Sequence, residues 1–424
     1  MKRKILAVLI AVFALLSLTF GLTGCKENIV FDQDYIVGSY IDADGNLIII
    51  LADGTEINYG FVPDYRPTTA NDFLFTEVRE GDSTVGYAVR GLHKATSVNL
   101  VIPDKFQDLP VVEIMDGAFY MNDRIVSVII PDTVKKIGAY AFEECTALKS
   151  VDLGEGVTFI GDNAFGMCYS LTEIEIPQSV AIIEGDAFVF CTALEKVTLS
   201  MAGELEFLGA GAFAGCSALK SFIMPDSVTA AGYGLFMQCT SLSNVALSDN
   251  LTELDDYTFS GCTSLTTFTF GAKSKITRIG YAAFSKTPIK SIVIPSGVTE
   301  IGRTAFFECA NLTSVKLNAN LERIDSGAFH SCIALEEITV PAAVNFIGQN
   351  TFEGCSKLKS VAFENYEDWK VYEDEYTATG VAISSSALSN HSNAANYLTG
   401  LHMKRFWRRG EFSGGDGPSG NLPW

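Results

Sequence analysis

The side chains of this 424-residue chain best suited to chemistry are its ten cysteines. Nine of them, Cys145, Cys168, Cys191, Cys216, Cys239, Cys262, Cys309, Cys332 and Cys355, recur at nearly constant spacing. Thiols so placed would serve as disulfides, as zinc ligands or as small buried side chains. Nine is odd, which argues against the paired framework common in exported domains. Zinc needs four thiolates or imidazoles converging as a tetrahedron, which a linear series does not supply. His93, His330, His391 and His402 fall in no metal or nucleophile motif, and His330, directly after a repeat phenylalanine, is expected to be exposed. Glu173 and Glu175 share one strand face and mimic a glycosidase carboxylate pair. They read as a solvated acidic strip, because an open sheet has no water-excluding pocket to raise a carboxyl pKa. Asp42, Asp44 and Asn46 superficially suggest calcium, but the glycine comes at the fourth position where such a loop needs it at the sixth. No enzyme, metal or cofactor is implied.

The elements that position the cysteines follow from their neighbours. Each stands three residues after a phenylalanine of the series Phe119, Phe142, Phe165, Phe188, Phe213, Phe236, Phe259, Phe284, Phe306, Phe329 and Phe352, whose intervals run from 22 to 25 residues. A fixed period in this range signals a solenoid. The repeated phrase is Val-x-x-Ile-x-x-x-Ala-Phe-x-x-Cys-x-x-Leu-x-x-Val-x-Leu. Its end, such as Leu148, Val151 and Leu153, closes with the alternation of a strand. Ile137 with Ala141 has the i, i+4 spacing of one helical turn. Pro103, Pro131, Pro177, Pro225, Pro295 and Pro341 directly follow strands and turn the chain.

A single phrase cannot bury its own apolar edge, so coils must stack and pair their strands in parallel, about twelve of them with the strand at residues 98–102. Equivalent cysteines then lie roughly 4.8 Å apart with parallel side-chain vectors, too far for good disulfide geometry. They are expected to be reduced, buried and weakly donating. Asn122 holds the position in the first copy, and Lys286 is taken to mark the coil that lacks it.

The run I-P-D-K-F-Q-D-L-P-V-V-E-I-M-D-G-A-F, residues 102–119, followed by repeated A-F-x-x-C-x-x-L-x-x-V and I-P, resembles BspA-like, or Treponema-type, leucine-rich-repeat surface proteins. The resemblance covers residues 86–363 in eleven consecutive copies. It implies a right-handed leucine-rich-repeat solenoid on a bacterial surface protein, with adhesion among the family's roles and no catalytic residues.

At the start, Lys2, Arg3 and Lys4 precede an uncharged apolar run at residues 5–20, the order of a secretory signal. Leu22-Thr23-Gly24-Cys25 resembles the bacterial lipobox, which implies lipidation of Cys25 and anchoring on the outer face of a cell membrane. Removing residues 1–24 takes three of the 30 basic residues and none of the 50 acidic ones, leaving a net charge of −23. Such a body repels nucleic acid and anionic lipid headgroups, so the anchor must hold it at the membrane. Residues 25–85 carry no repeat. They read as a β-hairpin around Asp53-Gly54 and a linker at residues 63–71. Residues 364–410 are expected to cap the last open coil. Their basic cluster, residues 404–409, forms a solvated end whose aromatics pack inward. The glycine-rich tail, residues 411–424, is expected to be disordered.

What remains is surface. Outward strand positions between the acidic pair and Lys316 include Ser221, Ile223, Asn244, Ala246, Thr267, Thr269, Ser291 and Val293, a small and uncharged strip without an aromatic. An extended partner would lie flat there by contacts summed over several coils. The expected function is a lipid-anchored surface protein that binds an extracellular protein or glycan, in adhesion or protein–protein interaction. The alternative is capture of a polysaccharide or peptide for the cell envelope.

Overall fold

The computed structural model describes residues 36–41, 46–51, 56–61, 68–93, 99–374 and 379–410, which divide between two compact units, Met1–Pro63 and Asp64–Trp424. In the first unit, strands Ile36–Ile41, Asn46–Leu51 and Glu56–Phe61 form an antiparallel sheet in that order. The last two flank Asp53 and Gly54, which lie outside the described residues, as do the signal run, Cys25 and the tail at residues 411–424.

The second unit is a parallel β-solenoid whose coils build two ladders. The first contains the strands expected from the alternating ends of the phrase, among them Ser127–Ile129, Ser150–Asp152, Glu173–Ile176, Lys196–Leu199, Ser221–Ile223 and Asn244–Ala246. Their register advances by one phrase per coil, pairing Ser150 with Ser127 and Asn244 with Ser221. The ladder resumes with Ser291–Val293, Ser314–Lys316, Glu337–Val340 and Ser360–Phe363.

The second ladder lies where a helical turn was expected, and this corrects the sequence reading. Lys136–Ile137 pairs in parallel with Glu113 and Ile114 before it and with Phe159–Ile160 after it. Further two-residue strands continue to Phe346–Ile347. Ile137 is therefore a strand residue. Ala141 and Phe142 follow in a turn that cannot be α-helical, because the residues two before and two after each repeat phenylalanine have positive φ in all eleven copies: Tyr140 at 58° and Glu144 at 57°, for example. Alternating right- and left-handed residues send successive N–H groups in different directions. Tyr140, Phe142 and Glu144 donate along the solenoid to Asp162, Ala164 and Gly166, at 2.8, 2.8 and 2.9 Å, whereas Glu143 and Cys145 donate back within their own turn. One coil thus satisfies the backbone of the next, which is why coils are not independent units.

The core is a column of rings. Phe142 and Phe165 stack at 5.2 Å between centroids and 1° between planes, Phe306 and Phe329 at 5.2 Å and 3°. Small residues let the coils close up. A Cβ on Gly209 would lie 2.3 Å from the carbonyl carbon of Glu184 in the preceding coil.

Both ends are covered. Upstream, a hairpin of Phe73–Glu80 and Ser83–Leu92 adds to the second ladder, with Ser83–Leu92 parallel to Leu109–Ile114. The boundary expected at residues 85 and 86 therefore falls inside a strand. The Thr68 hydroxyl accepts from Val101 N–H at 2.8 Å and donates to Val101 C=O at 3.0 Å, occupying the open edge of the first ladder. Downstream, Phe406–Arg409 runs antiparallel to both Phe346–Ile347 and Trp369–Tyr372. A helix at His391–Asn396 packs on Ser360–Phe363. Phe406 and Trp407 of the basic cluster are buried, Arg408 stands over the Phe346 ring and Arg405 pairs with Glu373.

Candidate functional site

The first ladder positions the surface strip. Hydrophobic residues at the middle strand position, Phe222, Val245, Phe268 and Ile292, point into the core, so their neighbours on both sides must point out. Ser221, Ile223, Asn244, Ala246, Thr267, Thr269, Ser291 and Val293 are all exposed. One part of the expectation fails: Thr267 and Thr269 keep the alternation but lie in a segment without strand pairing, so the ladder is interrupted between Asn244–Ala246 and Ser291–Val293. The interruption falls in a coil of 25 residues, from Phe259 to Phe284, whose extra residues form an exposed loop around Lys273. The strip offers hydroxyls, one amide and methyl groups, with no titratable side chain. It can accept and donate hydrogen bonds along an extended partner, and it cannot transfer protons.

The nine cysteines form a column behind the turn. Each thiol donates to the carbonyl of the phenylalanine one coil earlier: Cys168 to Phe142 at 3.2 Å, Cys239 to Phe213 at 3.1 Å, Cys355 to Phe329 at 3.1 Å. All nine are free and buried. Burial pushes the thiols of Cys145, Cys239, Cys309 and Cys355 up to about 12, so they stay protonated and donate rather than react. The residue that replaces cysteine in the eighth coil is Thr287, not Lys286: the side chain three after Phe284 is Thr287, 1% exposed, whereas Lys286 is exposed at the left-handed position before it.

His330 is not simply exposed. Its ring is half-buried, stacked on Phe307 at 5.1 Å, with Nε2 3.4 Å from a Glu353 oxygen. Glu173 and Glu175 are exposed on the first ladder as expected. Among the described residues no His, Cys, Asp and Glu come together as a metal site, and no helix is long and apolar enough to cross a membrane.

Two surfaces escaped the sequence reading. The outward column of the second ladder runs through Phe159, Ile182 and Phe207, then through the charged series Glu253, Arg278, Glu300 and Arg323 to Phe346. The turn face carries exposed Tyr120, Met121, Tyr140 and Phe190. The signal for Met121, Tyr140 and Phe190 lay in the phrase itself, since each stands two positions from a buried phenylalanine, at the left-handed positions of the turn.

Two parallel ladders joined by a phenylalanine-cored turn define a leucine-rich-repeat solenoid, a fold that typically serves as a non-enzymatic binding scaffold. This chain belongs to the BspA-type leucine-rich-repeat family: the model of a BspA type leucine rich repeat region of six copies matches residues 112–239, 199–310 and 277–376. Among solved structures, the chain is similar to a leucine-rich repeat protein from Bacteroides ovatus ATCC 8483, 26% identical over 69% of this chain and 88% of the other, with a TM-score of 0.47. The pneumococcal vaccine antigen PcpA is 22% identical over 71% of this chain and 82% of its own, with a TM-score of 0.50. A leucine rich cell surface protein from Faecalibacterium prausnitzii A2-165 is 20% identical over 76% and 88%, with a TM-score of 0.39. No curated protein matches the chain.

Proposed function

We propose that this protein is a bacterial cell-surface lipoprotein, held by lipid on Cys25, whose solenoid binds an extracellular protein or glycan partner along the outward strip of the first ladder. The observation that carries the binding reading is the exposure of eight uncharged side chains, from Ser221 to Val293, over four consecutive coils of a stacked scaffold. Such a surface gains affinity by summing modest contacts along its length. The strip is bounded by charge, with Glu175 and Lys196 before it and Lys316 after it, so an uncharged extended segment fits between them. The family implies a surface location, and the lipobox-like residues before Cys25 support the anchor. Screening the protein against glycan arrays and against extracellular-matrix and surface proteins, with Thr267→Lys as the strip-blocked control, tests the binding. A partner that binds both forms equally removes the strip from consideration. The anchor is tested separately by metabolic labelling with a fatty-acid probe, which is expected to mark the wild type and not Cys25→Ser.

A further inference from the structure

The turn face of the first four coils combines acidic side chains with exposed large apolar ones. Residues 116–123, 139–146, 162–169 and 185–192 hold no Lys, Arg or His. Basic side chains enter the equivalent turns only from the eighth coil on, as Lys286, Arg303 and His330. Along these turns Tyr120, Met121, Tyr140 and Phe190 are between 42% and 58% exposed, apolar side chains spaced along an otherwise acidic surface. The turns are held together: Met121 N–H donates to Glu143 C=O, Glu144 N–H to Gly166 C=O and Met167 N–H to Val189 C=O, at 2.8, 2.9 and 2.7 Å. Met121, Glu144, Met167 and Phe190 therefore form one column along successive coils.

We propose that this face is a docking surface for a cationic protein segment bearing apolar side chains, its Lys or Arg groups meeting Glu143, Glu144, Asp162 and Asp186 and its apolar groups packing on Tyr120, Met121, Tyr140 and Phe190. Charge decides the partner. None of the four carboxylates forms an ion pair among the described residues. Instead they crowd one another. Burial and then Glu144 raise the Glu143 pKa, burial and then Asp162 raise that of Asp186, and Glu144 above all raises that of the Tyr120 phenol. An incoming cation relieves this like-charge repulsion, whereas a polyanion adds to it. Aromatic faces and a methionine beside carboxylates also suit Arg and Lys stems, which pack their apolar length and present their charge at the tip. The proposal does not use the first-ladder strip, so its failure leaves the reading above standing.

The test is fluorescence anisotropy of the full chain with a labelled 14-residue peptide of alternating Leu and Lys. Nonalysine, the corresponding Leu and Glu peptide and unlabelled maltoheptaose are the comparisons. The Leu–Lys peptide is expected to bind, and Glu143→Gln with Glu144→Gln is expected to weaken it by about fivefold or more. Tyr120→Ser with Met121→Ser should weaken it to a similar degree at unchanged charge. Glu173→Gln with Glu175→Gln removes the same charge from the first ladder and should bind like the wild type. Equal weakening by that control pair would mean bulk charge alone and overturn the proposal. Nonalysine binding as tightly as the Leu–Lys peptide would overturn it too, as would displacement of the peptide by maltoheptaose, which would mark a sugar-binding face.

Discussion

Thr287 Oγ1 and Cys309 Sγ lie 3.4 Å apart and converge on one acceptor, the Phe284 carbonyl, at 2.8 and 3.1 Å. Here alone in the cysteine-bearing stretch, a hydroxyl stands in the thiol column and bonds within its own coil rather than to the coil before. Because Cys309 still satisfies the carbonyl, Thr287→Val should cost only about 1 kcal/mol, the net value of an ordinary hydrogen bond. Urea unfolding of the two proteins measures it. A loss above about 3 kcal/mol would show a buried group left unpaired and contradict the shared-acceptor geometry.

The thiol column also sets a pH dependence. Cys145, Cys239, Cys309 and Cys355 ionise near 9 when unfolded and are pushed up to about 12 when folded. A folded pKa above the unfolded one means that the unfolded chain releases its protons first as pH rises. The stabilisation is then whole below pH 9 and drains away between 9 and 12, by about 1.4 kcal/mol per pH unit for each thiol. Urea midpoints should be flat from pH 7 to 8.5 and fall at pH 9.5 and above, with a shallower fall in Cys239→Ala. An identical slope in that variant would place the alkaline sensitivity elsewhere.

Gly209 is predicted to be irreplaceable for a steric reason. A methyl group there meets the Glu184 carbonyl carbon and the Gly185 nitrogen, both at 2.3 Å, and these are backbone atoms that no rotamer change can move. Two coils would have to separate, so Gly209→Ala should destabilise by about 1–3 kcal/mol or more. Gly400→Ala, where no atom lies within 4 Å of the added methyl, is the control and should be nearly silent in a thermal melt.

How much of this was legible follows from the residues. Val128, Ile174 and Phe222 are buried between outward neighbours, so two-residue alternation was enough to orient the first ladder. Phe142 and Cys145 announced themselves by recurrence. The second ladder was hidden because Lys136–Ile137 is too short to show any period. Ile137, Ala141 and Phe142 satisfy helical spacing as well as the turn they adopt. Gly117, Asn163, Asp186, Gly211 and Asn350, two residues before the phenylalanine, were the available sign of left-handed backbone. Thr267–Thr269 defeated the reading for another reason: its alternation is intact, and coil length does not foretell the lost pairing, since the equally long coil from Phe188 to Phe213 keeps its strand Lys196–Leu199.

The C-terminal cap should behave as the lid of the core. Trp407 is 1% exposed and its indole N–H donates to His402 C=O at 3.2 Å, while its strand pairs with Phe346–Ile347. Trp407→Ala should cost about 3–5 kcal/mol, as for other buried aromatics. Because the opened coil presents unpaired strand edges, the variant should also form larger species in size-exclusion chromatography. A destabilised protein that stays the size of the wild type would mean that the helix at His391–Asn396 closes the end without the strand.

The last prediction concerns how binding energy is spread over the first ladder. The strip has no deep pocket and no exposed aromatic among its eight side chains, so no single residue can act as the anchor that dominates many interfaces. For the partner found by screening, Thr267→Lys and Ala246→Glu should each weaken binding by about 0.5–2 kcal/mol, a size typical of ordinary interface positions. The two sites lie on successive coils with opposite introduced charges. Ala246→Glu with Thr267→Lys should therefore fall slightly short of the sum, the difference reporting the new pair, whereas Ala246→Glu with Val293→Glu, two coils apart, should add. Glu173→Gln with Glu175→Gln should leave affinity nearly unchanged. Surface plasmon resonance on the variants resolves differences of this size. If the glutamates abolish binding while the central strip proves indifferent, the acidic strands are the contact surface and the uncharged strip is only what a crowded parallel ladder tolerates.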